Sequence, residues 1–178
     1  MDRQCPVLYT SSTQVAAIVP YSLSTTTAQA IVAYQGQTSQ VFPVNVSPTA
    51  PGLFTLDSSG SNQAAAFNQD GSLNTAGHPA PLGSIISLYA TGEGVTSPVS
   101  VDGQPAQAPL ARPTAPVTVL IGGRVVAPQY AGAAPGLVAG IMQINVQIPQ
   151  GIQPGNAVPV TLQVGGAATQ AGVTIAVQ

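Results

Sequence analysis

From Met142 to Ile148 every second residue is apolar: Met142, Ile144, Val146 and Ile148 alternate with Gln143, Asn145 and Gln147. In an extended chain successive side chains point to opposite faces, so this spacing sets four apolar groups on one side of a half-buried strand. The alternation returns in Val158, Val160, Leu162 and Val164, with Thr161 and Gln163 turned outward, and again in Val173, Ile175 and Val177. Val117, Val119 and Ile121 form a further strand stopped by Gly122-Gly123, and Ile85 to Ala90 reads as a more deeply buried one ending at Thr91-Gly92. Roughly seven or more short strands punctuated by Gly, Pro, Asn and Ser predict an all-β chain, an immunoglobulin-like antiparallel β-sandwich.

The segment Thr27 to Gln35 is the one stretch whose composition favours a helix, because Ala28, Ala30 and Ala33 are strong helix formers. An internal repeat argues the other way. Gln14-Val15-Ala16-Ala17-Ile18-Val19-Pro20 lines up with Gln143-Ile144-Asn145-Val146-Gln147-Ile148-Pro149. Farther on, Ala30 to Gly36 falls opposite Pro159 to Gly165, and Thr38-Ser39-Gln40 opposite Ala168-Thr169-Gln170 after a one-residue gap. The later copy alternates clearly, so the earlier one is expected to be β as well.

The repeat sets the expected boundaries. Residues 1–47 form a partial immunoglobulin-like unit, a truncated second sandwich that lacks counterparts of the strands at Ile85 to Ala90 and Val117 to Ile121. Residues 48–80 open with Pro48-Thr49-Ala50-Pro51-Gly52 and hold an inserted hairpin turning at Asn68-Gln69-Asp70-Gly71, and residues 81–178 form the complete sandwich. A few strands cannot bury two faces alone. Residues 1–47 are therefore expected to dock on the intervening hairpin and the second domain, or to pair an open edge with upstream sequence or another chain, self-association through exposed β-edges included.

Charge narrows the partners. The chain has Lys+Arg 3 and Asp+Glu 5 with a formal net charge of -2, and its basic residues are Arg3, Arg112 and Arg124. Binding to phosphate backbones or anionic lipid draws on many Lys and Arg, so neither nucleic acid nor a polybasic membrane attachment is expected. No apolar run approaches the roughly 20 residues of a membrane-spanning helix, so membrane insertion is not expected either. Met1-Asp2-Arg3-Gln4-Cys5-Pro6 shows no basic leader before an apolar stretch, so no signal peptide is read in these residues, and the lone Cys5 has no internal disulfide partner.

Four sets of residues merit a chemical reading. His78, the single histidine, would have to anchor any Ser-His-Asp arrangement, with Asp57, Asp70 or Asp102 as the acid; no Gly-x-Ser-x-Gly elbow accompanies it. Glu93, the one glutamate, lies in Thr91-Gly92-Glu93-Gly94, where a glycosidase would pair it with a carboxylate such as Asp102, and a structural role would tie it to a loop partner such as Arg112. Asn68, Asp70 and Ser72 have the alternate spacing of the first oxygen ligands of a calcium loop, but the late acidic ligand is missing, so a hairpin turn is the preferred reading and no metal or cofactor is expected. Tyr9, Tyr21, Tyr34, Tyr89 and Tyr130 are candidates for a sugar-stacking platform, with Tyr89, Tyr130 and Arg112 as the ligand-binding candidates, although partial core burial with a polar tip is the expected role for each tyrosine.

Several separated motifs carry a family resemblance. Tyr89-Ala90-Thr91-Gly92-Glu93-Gly94, the Asn68-Gln69-Asp70-Gly71-Ser72 turn, Tyr130-Ala131-Gly132-Ala133-Ala134-Pro135-Gly136 and Gln143-Ile144-Asn145-Val146 resemble the Solibacter-type C-terminal domain of secreted acidobacterial proteins. The later copy is more distantly similar to immunoglobulin-like domains of the IPT/TIG type. What the resemblance implies is an extracellular or cell-surface accessory module without catalytic residues, used for adhesion, spacing or attachment of a larger secreted protein. A carbohydrate-binding module facing a polysaccharide or cell-surface partner is the alternative, and a small esterase or glycosidase using His78 or Glu93 the second.

Overall fold

A computed structural model describes residues 3–178; Met1 and Asp2, which open the leader segment considered above, lie outside them. The described residues are all β, built from antiparallel sheets of a sandwich and without a helix. None is therefore long and apolar enough to cross a membrane. The Ala-rich stretch contains strands rather than a helix: cross-strand pairing overrides alanine's helix preference.

The N-terminal part holds three small hairpins. β1 (Val7–Thr10) pairs with β2 (Val15–Ala17), β3 (Thr27–Ala30) with β6 (Phe42–Asn45), and the short β4 (Ala33–Tyr34) with β5 (Gln37–Thr38). Next come β7 (Gly52–Leu53), β8 (Asn62–Gln63) and β9 (Ala66–Asn68). They do not form a separate layer. β7 and β9 both pair with β10 (Ile85–Thr91), whereas β8 runs parallel to β19 (Val173–Val177), so the stretch between the Pro-rich boundary and Ala80 completes both sheets of the sandwich.

One sheet sets β10 against β16 (Met142–Gln147), with β15 (Tyr130–Ala133) beyond it. The other runs from β14 (Arg124–Val126) through β13 (Val117–Ile121) and β17 (Gly155–Val164) to β19 and β8, while β18 (Ala167–Ala168) folds back on β17. β11 (Thr96–Ser97) and β12 (Arg112–Pro113) form a side ribbon. The core lies where the alternation put it: Ile86, Leu88, Ile144, Val146, Ile148, Leu162, Val164 and Ile175 are each fully buried. Burying such a side chain contributes about 1.5–3 kcal/mol.

The N-terminal hairpins share little of that core. Ile18 packs over Gly140 and Pro6 over Gly103, and Pro20 is buried, but Val15, Val19, Val32, Phe42 and Val44 remain exposed. Attachment thus runs through Pro6, ahead of β1, and through the stretch after β2 rather than through the strand faces.

Candidate functional site

The lone glutamate does not face solvent. Glu93 follows β10 and is 1% exposed. It is sealed in by backbone: a Cβ added at Gly92 would stand 1.8 Å from the Ala50 carbonyl oxygen, and one at Gly94 2.3 Å from that of Pro48. The Ala50 N–H also donates to the Gly92 carbonyl at 3.0 Å. Only glycines let the Pro48–Pro51 loop lie this close, and both carry a positive φ.

The partner of Glu93 comes from the N-terminal part. The Tyr21 hydroxyl donates to Glu93 Oε1 at 2.5 Å, and the Tyr21 backbone N–H donates to Asp102 Oδ1 at 3.0 Å. Glu93 and Asp102 therefore converge, but around a tyrosine rather than across an open cleft. Glu93 Oε2 is buried with no hydrogen-bond partner among the described residues. Burial pushes the Glu93 carboxyl above its ordinary pKa, against the opposing pull of the Tyr21 hydrogen bond. Burial, reinforced by Glu93, holds the Tyr21 hydroxyl well above its own. Chemically, this is a protonatable clamp between two parts of the chain, its glutamate buried and its aspartate partly exposed.

The clamp makes stability depend on pH with a definite sign. A group whose folded-state pKa is raised contributes most below its unfolded value, and that contribution is lost as pH rises through the folded value. Glu93 starts from 4.5, while Asp57, held down to about 2 by Ser59, and Asp70, held down by Ser72, act in the opposite sense only below 3.8. Thermal melts from about pH 5 to about pH 8 should show the wild-type midpoint falling as pH rises and a flat response in Glu93→Gln. A slope retained in Glu93→Gln would assign the dependence to another group.

Arg112 takes a different partner. Its guanidinium sits 5.1 Å from the centre of the Tyr130 ring, a cation–π contact, and it makes no hydrogen bond to Glu93 among the described residues. Tyr130 donates its hydroxyl to the Ala133 carbonyl at 2.7 Å and lies over Gly132. Burial raises its hydroxyl pKa, against the nearby Arg112 charge. Tyr89 is on β10, edge-on to Phe67 with ring centres 6.1 Å apart. Tyr21, Tyr89 and Tyr130 are partly buried, but Tyr9 and Tyr34 are 50% and 72% exposed. The expectation of partial burial fails for these two because their strands lack a covering sheet.

His78 is exposed in the loop after Thr75, in a shallow depression with Asp70 and Ser72. Its backbone carbonyl accepts from Asn68 Nδ2 at 2.8 Å. Asp70 Oδ1 accepts both the Ser72 N–H at 2.9 Å and the Ser72 hydroxyl at 2.7 Å, and Asn68 Nδ2 also donates to Ser72 Oγ at 3.0 Å. These oxygens are engaged in wiring the turn at Gly71. Among the described residues no three His, Cys, Asp or Glu side chains are grouped to hold a metal.

Sequence reasoning missed Asn74. Fully buried, it accepts the Ala176 N–H on Oδ1 at 2.8 Å and donates from Nδ2 to the Ala176 carbonyl at 2.9 Å and to Asn68 Oδ1 at 2.8 Å, while Gln63 donates to Oδ1 at 2.7 Å. Nothing in Leu73-Asn74-Thr75 signals this. Tyr21 had one cue, a tyrosine directly after the proline that ends the first alternating strand.

Comparison with protein-family models, with curated proteins and with solved structures returns no match to this chain.

Proposed function

We propose that this chain is a noncatalytic accessory module of a larger secreted or cell-surface protein, a rigid spacer for attachment or adhesion, built from two copies of one immunoglobulin-like unit. The Solibacter-type and IPT/TIG resemblances point the same way. The observation that carries the reading is the Tyr21 clamp: the acids a hydrolase would need, Glu93 and Asp102, are spent holding the N-terminal part at a fixed attitude to the sandwich.

Matching hydrogen bonds support the two-copy reading. Val32 N–H donates to Ser39 Oγ at 3.0 Å and Ser39 N–H to the Val32 carbonyl at 2.8 Å; Leu162 N–H donates to Thr169 Oγ1 at 3.1 Å and Thr169 N–H to the Leu162 carbonyl at 2.9 Å. Each pair spans a left-handed two-residue turn, Gln35-Gly36 and Gly165-Gly166, so Gly36 corresponds to Gly166 rather than Gly165.

Residual dipolar couplings of the whole chain test the spacer. One orientation should fit both parts in the wild type, and Tyr21→Phe combined with Asp102→Ala should spread it. A wild type already averaged over many orientations rejects the reading. A second reading, glycan binding, is favoured by a row across the outer face of the first sheet, Phe67, Ser87, Asn145 and Tyr130. Ser87 and Gln143 both donate to Asn145 Oδ1, at 3.0 and 2.9 Å, which orients an amide beside the aromatic pair. Saturable glycan-array binding lost in Tyr89→Ala would favour it.

A further inference from the structure

We propose that Glu93 and Tyr21 form a pH-gated latch: a protonated Glu93 holds residues 3–46 against the sandwich, and a deprotonated one frees them to reorient while the sandwich stays folded. Attachment is slender enough for this. Among the described residues, the hydrogen bonds between residues 3–46 and residues 48–178 come from Tyr21 alone, its hydroxyl to Glu93 and its N–H to Asp102. Among those residues no strand pairs across the same divide, and the buried apolar cluster of the sandwich begins at Leu53. Val46 N–H is tied back to the Thr26 carbonyl, whereas the Thr49 hydroxyl donates to that of Val164 at 2.8 Å, which leaves Ser47 and Pro48 as the connection. The apolar contacts of Pro6 and Ile18 oppose release but carry no charge that pH could change.

The trigger is the carboxyl oxygen without a donor. Glu93 Oε1 accepts from Tyr21, while Oε2 is buried and unpaired among the described residues. A neutral carboxyl tolerates that place; a carboxylate there is a buried charge with one oxygen unsatisfied, and it gains water only when a covering group moves away. Gly92 and Gly94 fix the Pro48–Pro51 loop on one side, so the cover that can leave is the Tyr21 segment. Neighbouring groups offer no relief. Asp102 is a second acid, Arg112 stacks on Tyr130 and donates no hydrogen bond to Glu93, Arg3 donates to Ser22 Oγ at 2.5 Å, and the Pro48–Pro51 loop carries no titratable side chain. Burial already holds the docked carboxyl above its ordinary 4.5. Between those two values the ratio of docked to released chain should fall about tenfold per pH unit.

The latch rests on the spacer reading for its closed state and adds the condition that opens it, and the two fail differently. Residual dipolar couplings of the full chain, recorded at about pH 5 and about pH 8, are read beside the carboxyl-carbon NMR signal of Glu93, which is unambiguous because the chain has no other glutamate. One orientation should fit both parts at the lower pH and unequal ones at the higher, the change tracking the Glu93 signal, while couplings within β13 and β17 stay mutually consistent. The Tyr21 hydroxyl, held well above its ordinary range, keeps its proton across this window. Glu93→Gln should hold one orientation throughout. Tyr21→Phe removes a hydrogen bond that closes the latch and eases the charge on Glu93, so it should open at lower pH. Histidine side chains also change charge in this window, so His78→Ala should open as the wild type does. A single orientation at both pH values overturns the latch and leaves the spacer; averaging over many orientations at both overturns the two together. Opening that persists in a folded Glu93→Gln, is lost in His78→Ala, or keeps its midpoint in Tyr21→Phe also overturns the latch.

Discussion

Gly92→Ala should cost more than about 4 kcal/mol of folding stability, enough to abolish cooperative melting or to lower its midpoint severely. The added Cβ would meet the Ala50 carbonyl oxygen at 1.8 Å, its carbon at 2.3 Å and the Pro51 nitrogen at 2.9 Å, all backbone atoms with no flexible end to yield. It would also sit at φ +78, where an L side chain adds about 1–2 kcal/mol of strain. Gly71→Ala separates the two costs. Its φ is +82 and nothing lies within 4 Å of its added Cβ, so it should lose about 1–2 kcal/mol from strain alone. Urea denaturation of both variants decides the matter; equal losses would mean that the Pro48–Pro51 loop does not lie on Gly92.

Asn74→Ala is the second large loss, about 3–5 kcal/mol. The carboxamide serves Ala176 as a neighbouring strand would, taking its N–H and supplying a donor to its carbonyl. Removing it leaves the Ala176 N–H unpaired where water does not reach, although the Ala176 carbonyl still accepts from the Ala80 N–H, and strips partners from Asn68 and Gln63. Asn74→Asp should restore little, because it returns acceptors for Ala176 N–H and Gln63 but no donors, and buries a charge. Denaturation curves combined with amide exchange at Ala176 measure this; a loss below about 1 kcal/mol would mean that water replaces the side chain there.

Much of the fold was legible because alternation reports which face of a strand is buried. Val158 to Val164 and Met142 to Ile148 needed nothing more. Alternation does not report the neighbour. The turn at Asn68 to Gly71 could be read locally, but not that β8 would lie parallel to β19, since pairing is decided by distant residues. The clamp shows the same limit: Glu93 was singled out as the sole glutamate, yet its partner Tyr21 lies 72 positions away and was one of five tyrosines. Asn74 and Ala176, 102 positions apart, left no local trace.

The place of β19, between β17 and β8, bears on how the chain is made. Ala80 donates to the Ala176 carbonyl at 2.9 Å, and Leu82 to that of Gln178 at 2.9 Å, so segments synthesised early have partners that are translated much later. During vectorial synthesis the second sheet therefore waits with its middle vacant, and the barrier to closure is crossed only after Val177 has left the ribosomal tunnel. Nascent chains stalled before Val173 should remain protease-sensitive along most of the sandwich, and release of a few more residues should confer resistance in a single step.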